Sequence, residues 1–147
     1  MPSISLNDCA RQVLETVPLV MCTVRTEMRR HCAADLSVPQ FRTLNFLSRQ
    51  EGASLSQVAA FIGLTLPSMS VLVNGLVERE LLVRETDPDD RRRVSLTLTP
   101  RGQSVLKETR SATQAALAES LAVLSEQERA EMVHALQVLR RVFEVGK

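Results

Sequence analysis

Tryptophan and tyrosine are absent from the 147 residues, and four phenylalanines supply all the aromatic rings. A core without large aromatics must be filled by Leu, Val, Ala and Met, which suits packed helices better than a β-sandwich. The three cysteines, Cys9, Cys22 and Cys32, are odd in number and share no C-x-x-C spacing. That pattern argues against a disulfide framework and for a reducing compartment. The opening MPSISLNDCA has neither a basic nor an apolar stretch, so no signal peptide is read and the cytoplasm is the expected location. Excess charge is missing too. The net charge is +1, so local distribution has to carry any argument about partners.

Residues 52–77 contain no charged side chain. Ser, Gln, Thr, Asn, Gly and Pro interrupt that run every few residues, which excludes a membrane span. Motifs for catalysis are missing as well: there is no P-loop, H-E-x-x-H, dinucleotide fingerprint or Ser-His-Asp order. With two histidines in all, the chain is not expected to be an enzyme, to hold a metal or to need a cofactor. His31 and Cys32, with Cys22, are the nearest approach to a ligand set. Neighbouring helical residues point in different directions, so idle or buried thiols are the plainer reading.

What is present is helical punctuation. NDCARQVLETVPLVMCTVRTEMRRH repeats Val13, Val17, Val20, Val24 and Met28 at helical spacing, with Asn7 or Asp8 available as N-cap. Pro18 predicts a kink or break there, because it removes the bond to Leu14. S-x-x-Q capping boxes at Ser37/Gln40 and Ser54/Gln57 open two further helices, and Gly63 closes the second. Thr65 and Pro67 start another. From LLVRET to VSLTLT the period becomes two, joined by DPDD turn chemistry, which predicts a β-hairpin. Thr99 and Pro100 then start a helix to about Ala122, and Ser125/Glu128 opens the last. The fold class is mainly α with a small β-hairpin, in a single unit over 1–147.

LSQVAAFIGLTLPSMSVLVNGL has a small residue, Ala59, at its fifth place and Gly63 at its ninth, with Met69 and Leu72 following. Two helices crossing steeply over a short turn need that arrangement. This is helix-turn-helix spacing, and the second helix offers Thr65, Pro67, Ser68, Ser70, Val71 and Asn74 to a DNA major groove. The arginine-bearing hairpin raises that reading, since a basic tip beside a recognition helix is a wing that reaches phosphates or the minor groove. Four cations and no anion lie from Arg91 to Arg101. A solvated turn, with the arginines paired to Asp87, Asp89 and Asp90, is the competing reading.

The run from LSVPQF through DPDDRRRVSLTLTPRG to LSEQERAEMVHALQVL resembles the MarR family of bacterial transcriptional regulators over nearly the whole chain. The resemblance implies a winged helix-turn-helix over 36–99 and a helical dimerisation layer from 1–35 and 100–147. It implies a homodimer on a pseudo-palindromic double-stranded operator, usually as a repressor. Asp90 would be the wing acid that orients a minor-groove arginine, Arg92, flanked by Arg91 and Arg93, with Arg84 adding a cation. Val71 and Gly75 stand where the family often has basic residues, and Glu80 where it usually has Gly. A small aromatic or lipophilic effector would sit among Met21, Arg25, Met28, Phe41 and Leu44, for which core packing is the alternative. Two other readings stay open. One is a helical dimer that binds another protein with weak or lost DNA affinity. The other is an oxidant sensor working through a cysteine such as Cys9.

Overall fold

The computed structural model describes residues 3–32 and 35–144. Helix α1 spans Leu6–His31, α2 Val38–Arg49, α3 Leu55–Ile62, α4 Leu66–Glu78, α5 Pro100–Ser120 and α6 Glu126–Phe143. Strands β1 (Ala53–Ser54), β2 (Leu82–Thr86) and β3 (Val94–Leu98) form one antiparallel sheet in the order β1-β3-β2. The chain divides into two compact units, Met1–Thr113 and Gln114–Lys147, so the boundary falls inside α5.

Hydroxyl caps set the helix starts. Ser37, Ser54, Thr65 and Ser125 each accept a backbone N–H from the first turn, and Gln40, Gln57 and Glu128 complete capping boxes. Each such cap contributes about 1 kcal/mol. The α1 cap differs from the expected one. Ser5, earlier than Asn7 or Asp8, accepts the Asp8 N–H at 3.0 Å. Pro18 lies within an uninterrupted α1, so the expected break is not there.

The core of the first unit collects Phe41, Leu44 and Leu47 of α2, Val58 and Ala59 of α3, and Met69, Val73 and Leu76 of α4. Leu82, Leu96 and Leu98 close it from the sheet, and Leu106 joins from α5. Met69, Val73 and Leu76 are fully buried, each stabilising by roughly 1.5–3 kcal/mol. They recur at helical spacing and orient α4 so that its opposite face meets solvent. Among the described residues of the second unit, α6 buries none of its side chains.

The hairpin register pairs Leu82 with Leu98, Arg84 with Leu96 and Thr86 with Val94. A third strand, β1, was not foreseen: Ala53 pairs with Leu96 and Ser54 with Ser95. Two residues are too few to show a period. Gly52, at φ 81°, turns the chain into this strand and donates its N–H to the Leu96 carbonyl at 3.1 Å.

Candidate nucleic-acid interface

Ala59 is buried where α3 and α4 meet, and Gly63 takes the left-handed conformation at φ 84°. The two helices bend through 107°, within the range of a helix-turn-helix. The α4 cap is Thr65, which accepts the Ser68 N–H at 3.3 Å, and Pro67 sits in the first turn.

The outward face of α4 is laid out as expected. Thr65, Pro67, Ser68, Val71 and Asn74 are exposed, and Ser70 is half-buried. Val71 is 72% exposed, so its methyl groups are open to an apolar contact from outside the chain. Gly75 does not belong to that face. It is half-buried, and a Cβ added to it would lie 3.8 Å from Nε2 of Gln40 on α2. A cation at this position would point at α2 rather than at a groove.

The wing tip is shaped by its acids. Asp87 Oδ1 accepts the Asp89 N–H at 2.9 Å, and Asp90 Oδ1 accepts the Arg92 N–H at 3.0 Å. The Asp87 N–H reaches the Arg93 carbonyl at 2.9 Å, closing the loop. Both carboxylates are therefore used on backbone, as Asx turns. The one wing ion pair among the described residues joins Arg93 Nε to Asp90 at 4.0 Å, with both side chains exposed. Its energy is small. Asp90 therefore holds Arg92 through its main chain, and it is Arg93 whose side chain it approaches. Arg91 and Arg92 are exposed and have no ion-pair partner among the described residues. The fully ion-paired turn is thus not what the wing forms. Arg84, on β2, is exposed as well.

A cleft of about 860 Å³ opens between the wing base and the start of α3. Arg92, Arg93, Asp87 and Glu85 line it on one side, and Ser54, Ser56 and Gln57 on the other. The sequence marks Gln57 only as a capping residue and does not mark Ser56, because only the β1–β3 pairing brings the start of α3 beside the wing. Arg42, on α2, places its guanidinium 5.9 Å from the Phe61 ring, which stacks on Phe46 at 4.5 Å.

The residues expected to meet an effector have different surroundings in the described chain. Phe41 and Leu44 are buried members of the core and Met28 packs against it, whereas Met21 and Arg25 are exposed on α1. Cys9 and Cys22 are exposed free thiols and Cys32 is half-buried. No group of three metal-ligating side chains occurs among the described residues.

A steep helix pair, an exposed second helix and a three-stranded sheet ending in an arginine-tipped hairpin define the winged helix-turn-helix class. Comparison with known proteins narrows the class. The MarR family model matches residues 34–93. The HTH-type transcriptional regulator MhqR of Bacillus subtilis is 30% identical over 107 residues, which are 72% of this chain and 74% of that one. A protein named as a transcriptional regulatory protein for the hcr operon of Thauera aromatica is 34% identical over 98 residues, 67% of this chain. The match spans only 59% of the Thauera protein's length. Among solved structures, Rv1404 of Mycobacterium tuberculosis superposes with a TM-score of 0.81 at 23% identity, covering 99% of this chain and 98% of that one. A MepR mutant of S. aureus bound to an oligodeoxyribonucleotide gives 0.64 at 21% identity, covering 95% and 99%. The chain belongs to the MarR family of transcriptional regulators.

Proposed function

We propose that this chain is a cytoplasmic, homodimeric repressor that binds a pseudo-palindromic double-stranded operator and is released by a small molecule. The observation that carries the DNA reading is the pairing of an exposed, uncharged α4 face with a wing whose Arg91 and Arg92 have no ion-pair partner among the described residues. Neutral side chains on α4 suit base edges: Val71 meets a thymine methyl, and Asn74 an adenine edge. The arginines supply the phosphate or minor-groove term that such a helix lacks. The MepR neighbour bound to an oligodeoxyribonucleotide supports the same use of the fold.

The dimer reading is supported by apolar side chains left in solvent. Leu6, Leu14, Leu19 and Val20 are exposed on α1, and Val133, Leu136 and Phe143 on α6. Surfaces of this kind call for a partner, and a second copy is the simplest one. Blocking a promoter needs no more than such a dimer. Met21, Arg25 and Met28 of α1, with Phe41 and Leu44 of α2, would meet an aromatic or lipophilic effector, the arginine facing a carboxylate.

The test is a titration of a fluorescent duplex from the gene's own upstream region, at several salt concentrations, beside Arg92→Ala. Saturable nanomolar binding that resists random competitor DNA is the expected result. Weak binding that ignores sequence and is unchanged in Arg92→Ala would overturn the reading in favour of a protein-binding helical dimer.

A further inference from the structure

We infer that Thr99 and Gly102 are positioning residues for the recognition helix: they lock the end of α4 to the first turn of α5, so that the two move as one lever. The inference rests on the operator-binding dimer proposed above and adds to it a part with a defined task.

The link between α4 and β2 is very short. The Glu80 N–H donates to the Val77 carbonyl at 2.9 Å and the Leu81 N–H to the Leu76 carbonyl at 2.9 Å, so both residues are still tied to the last turn of α4. Their own carbonyls then go elsewhere. The Thr99 hydroxyl donates to the Glu80 carbonyl at 2.6 Å, and the Thr99 N–H to the Leu81 carbonyl at 3.1 Å. The same hydroxyl accepts the Gly102 N–H at 3.0 Å, which caps α5. A cap needs only to accept. The donated bond to Glu80, across 19 positions of chain, does nothing for α5; it fixes the end of α4.

Gly102 completes the lock. An added Cβ there would collide with the Leu81 carbonyl, a backbone atom that cannot rotate away. α5 therefore seats against the main chain that ends α4, with no side chain between to act as a cushion. Glu80 holds a left-handed backbone at φ 61° without being glycine, which a side chain adopts only where its surroundings over-determine it. Its carboxylate lies 3.8 Å from Arg101 of α5. Bond, contact and strain converge on one joint, and α5 continues from it past Thr113 into the second unit. In a dimer, the angle set at this joint governs how far apart two recognition helices can stand, and therefore which half-site spacing they accept.

The experiment is a selection by the full chain from duplexes carrying two copies of its half-site, with the spacer varied through one helical turn. The natural chain, Thr99→Val and Thr99→Ser are compared, with single half-site affinity and thermal melting measured in parallel. The natural chain is expected to enrich one spacer. Thr99→Val, which keeps the shape and loses the hydroxyl, is expected to lose that optimum and enrich flanking spacers as strongly, with single half-site affinity unchanged. Thr99→Ser restores the optimum. If Thr99→Val does not fold, Thr99→Asp still accepts the cap bond of α5 but has no hydroxyl to donate to the Glu80 carbonyl, and is expected to broaden the optimum. A folded Thr99→Val or Thr99→Asp that keeps the natural optimum overturns the inference alone. No paired half-site enriched by the natural chain overturns the DNA reading, and this inference with it.

Discussion

The recognition helix and the wing sit side by side and are built on opposite terms. α4 is rigidly founded: three of its side chains are fully buried, its start is capped, and its outer face carries no charge. The wing is anchored only at its base. Beyond Leu82, every residue of β2 is exposed, and the tip is shaped by two Asx turns rather than by a core. A stiff neutral surface suits discrimination among base edges, where small misplacements cost most. A compliant cationic one suits phosphates and groove width, which vary little with exact position. On the proposed reading, the two halves of the interface divide specificity from affinity.

The largest effect expected within this contrast lies inside α4 itself. Met69→Ala empties a fully buried site and should cost 2–5 kcal/mol, roughly, in urea denaturation, whereas Val71→Ala, two positions on and exposed, should change stability by less than about 0.5 kcal/mol. Equal losses would mean that the outer face of α4 is packed against something. Next, Arg92→Ala should weaken operator binding by about 1–3 kcal/mol and lower the salt slope by about one. Val71→Ser should leave the slope intact and cost about 1 kcal/mol at a single base pair, the worth of a lost methyl contact. If instead Val71→Ser flattens the salt dependence, the division of labour fails.

Smaller still, Gly75→Ala has room against Gln40 and should raise stability by about 1 kcal/mol through helix propensity alone, without altering DNA affinity. A loss of affinity in that variant would return Gly75 to the interface. Smallest is Asp90→Leu in the wing, whose exposed pair with Arg93 is worth under about 1 kcal/mol; thermal melting should barely move, while the tip loses its turn and, with it, part of its affinity.

Much of this architecture was legible because local signals agreed with one another. Capping boxes, a glycine at the α3 terminus and the change of period at the hairpin each named an element without help from the rest of the chain. The features that stayed hidden depend on pairings distant in sequence. β1 exists only because Gly52 and Ala53 meet Leu96, and the facing of Ser56 and Gln57 toward the wing follows from that. The half-buried place of Gly75 stayed hidden too, because the outer arc of a helix cannot be fixed within one residue until the inner arc is known, and Gln40 lies on a different helix. Phe41 and Leu44 carry two readings in the sequence, since core packing and cavity lining call for the same residue types. Pro18 does not interrupt α1: an exposed helix tolerates one lost backbone bond when water can replace it.

The way the helices begin has a further consequence. Ser37, Ser54 and Thr65 cap α2, α3 and α4 with hydroxyls, and the reciprocating residues of the first two are glutamines, so none of the groups closing these helix starts ionises. Dissolved ions have little to screen there, while the arginine contacts of the wing weaken steeply as salt rises. A rise in ionic strength would therefore strip the protein from a duplex long before it disturbed the shape of the reader, and lowering the salt again would return a molecule ready to bind.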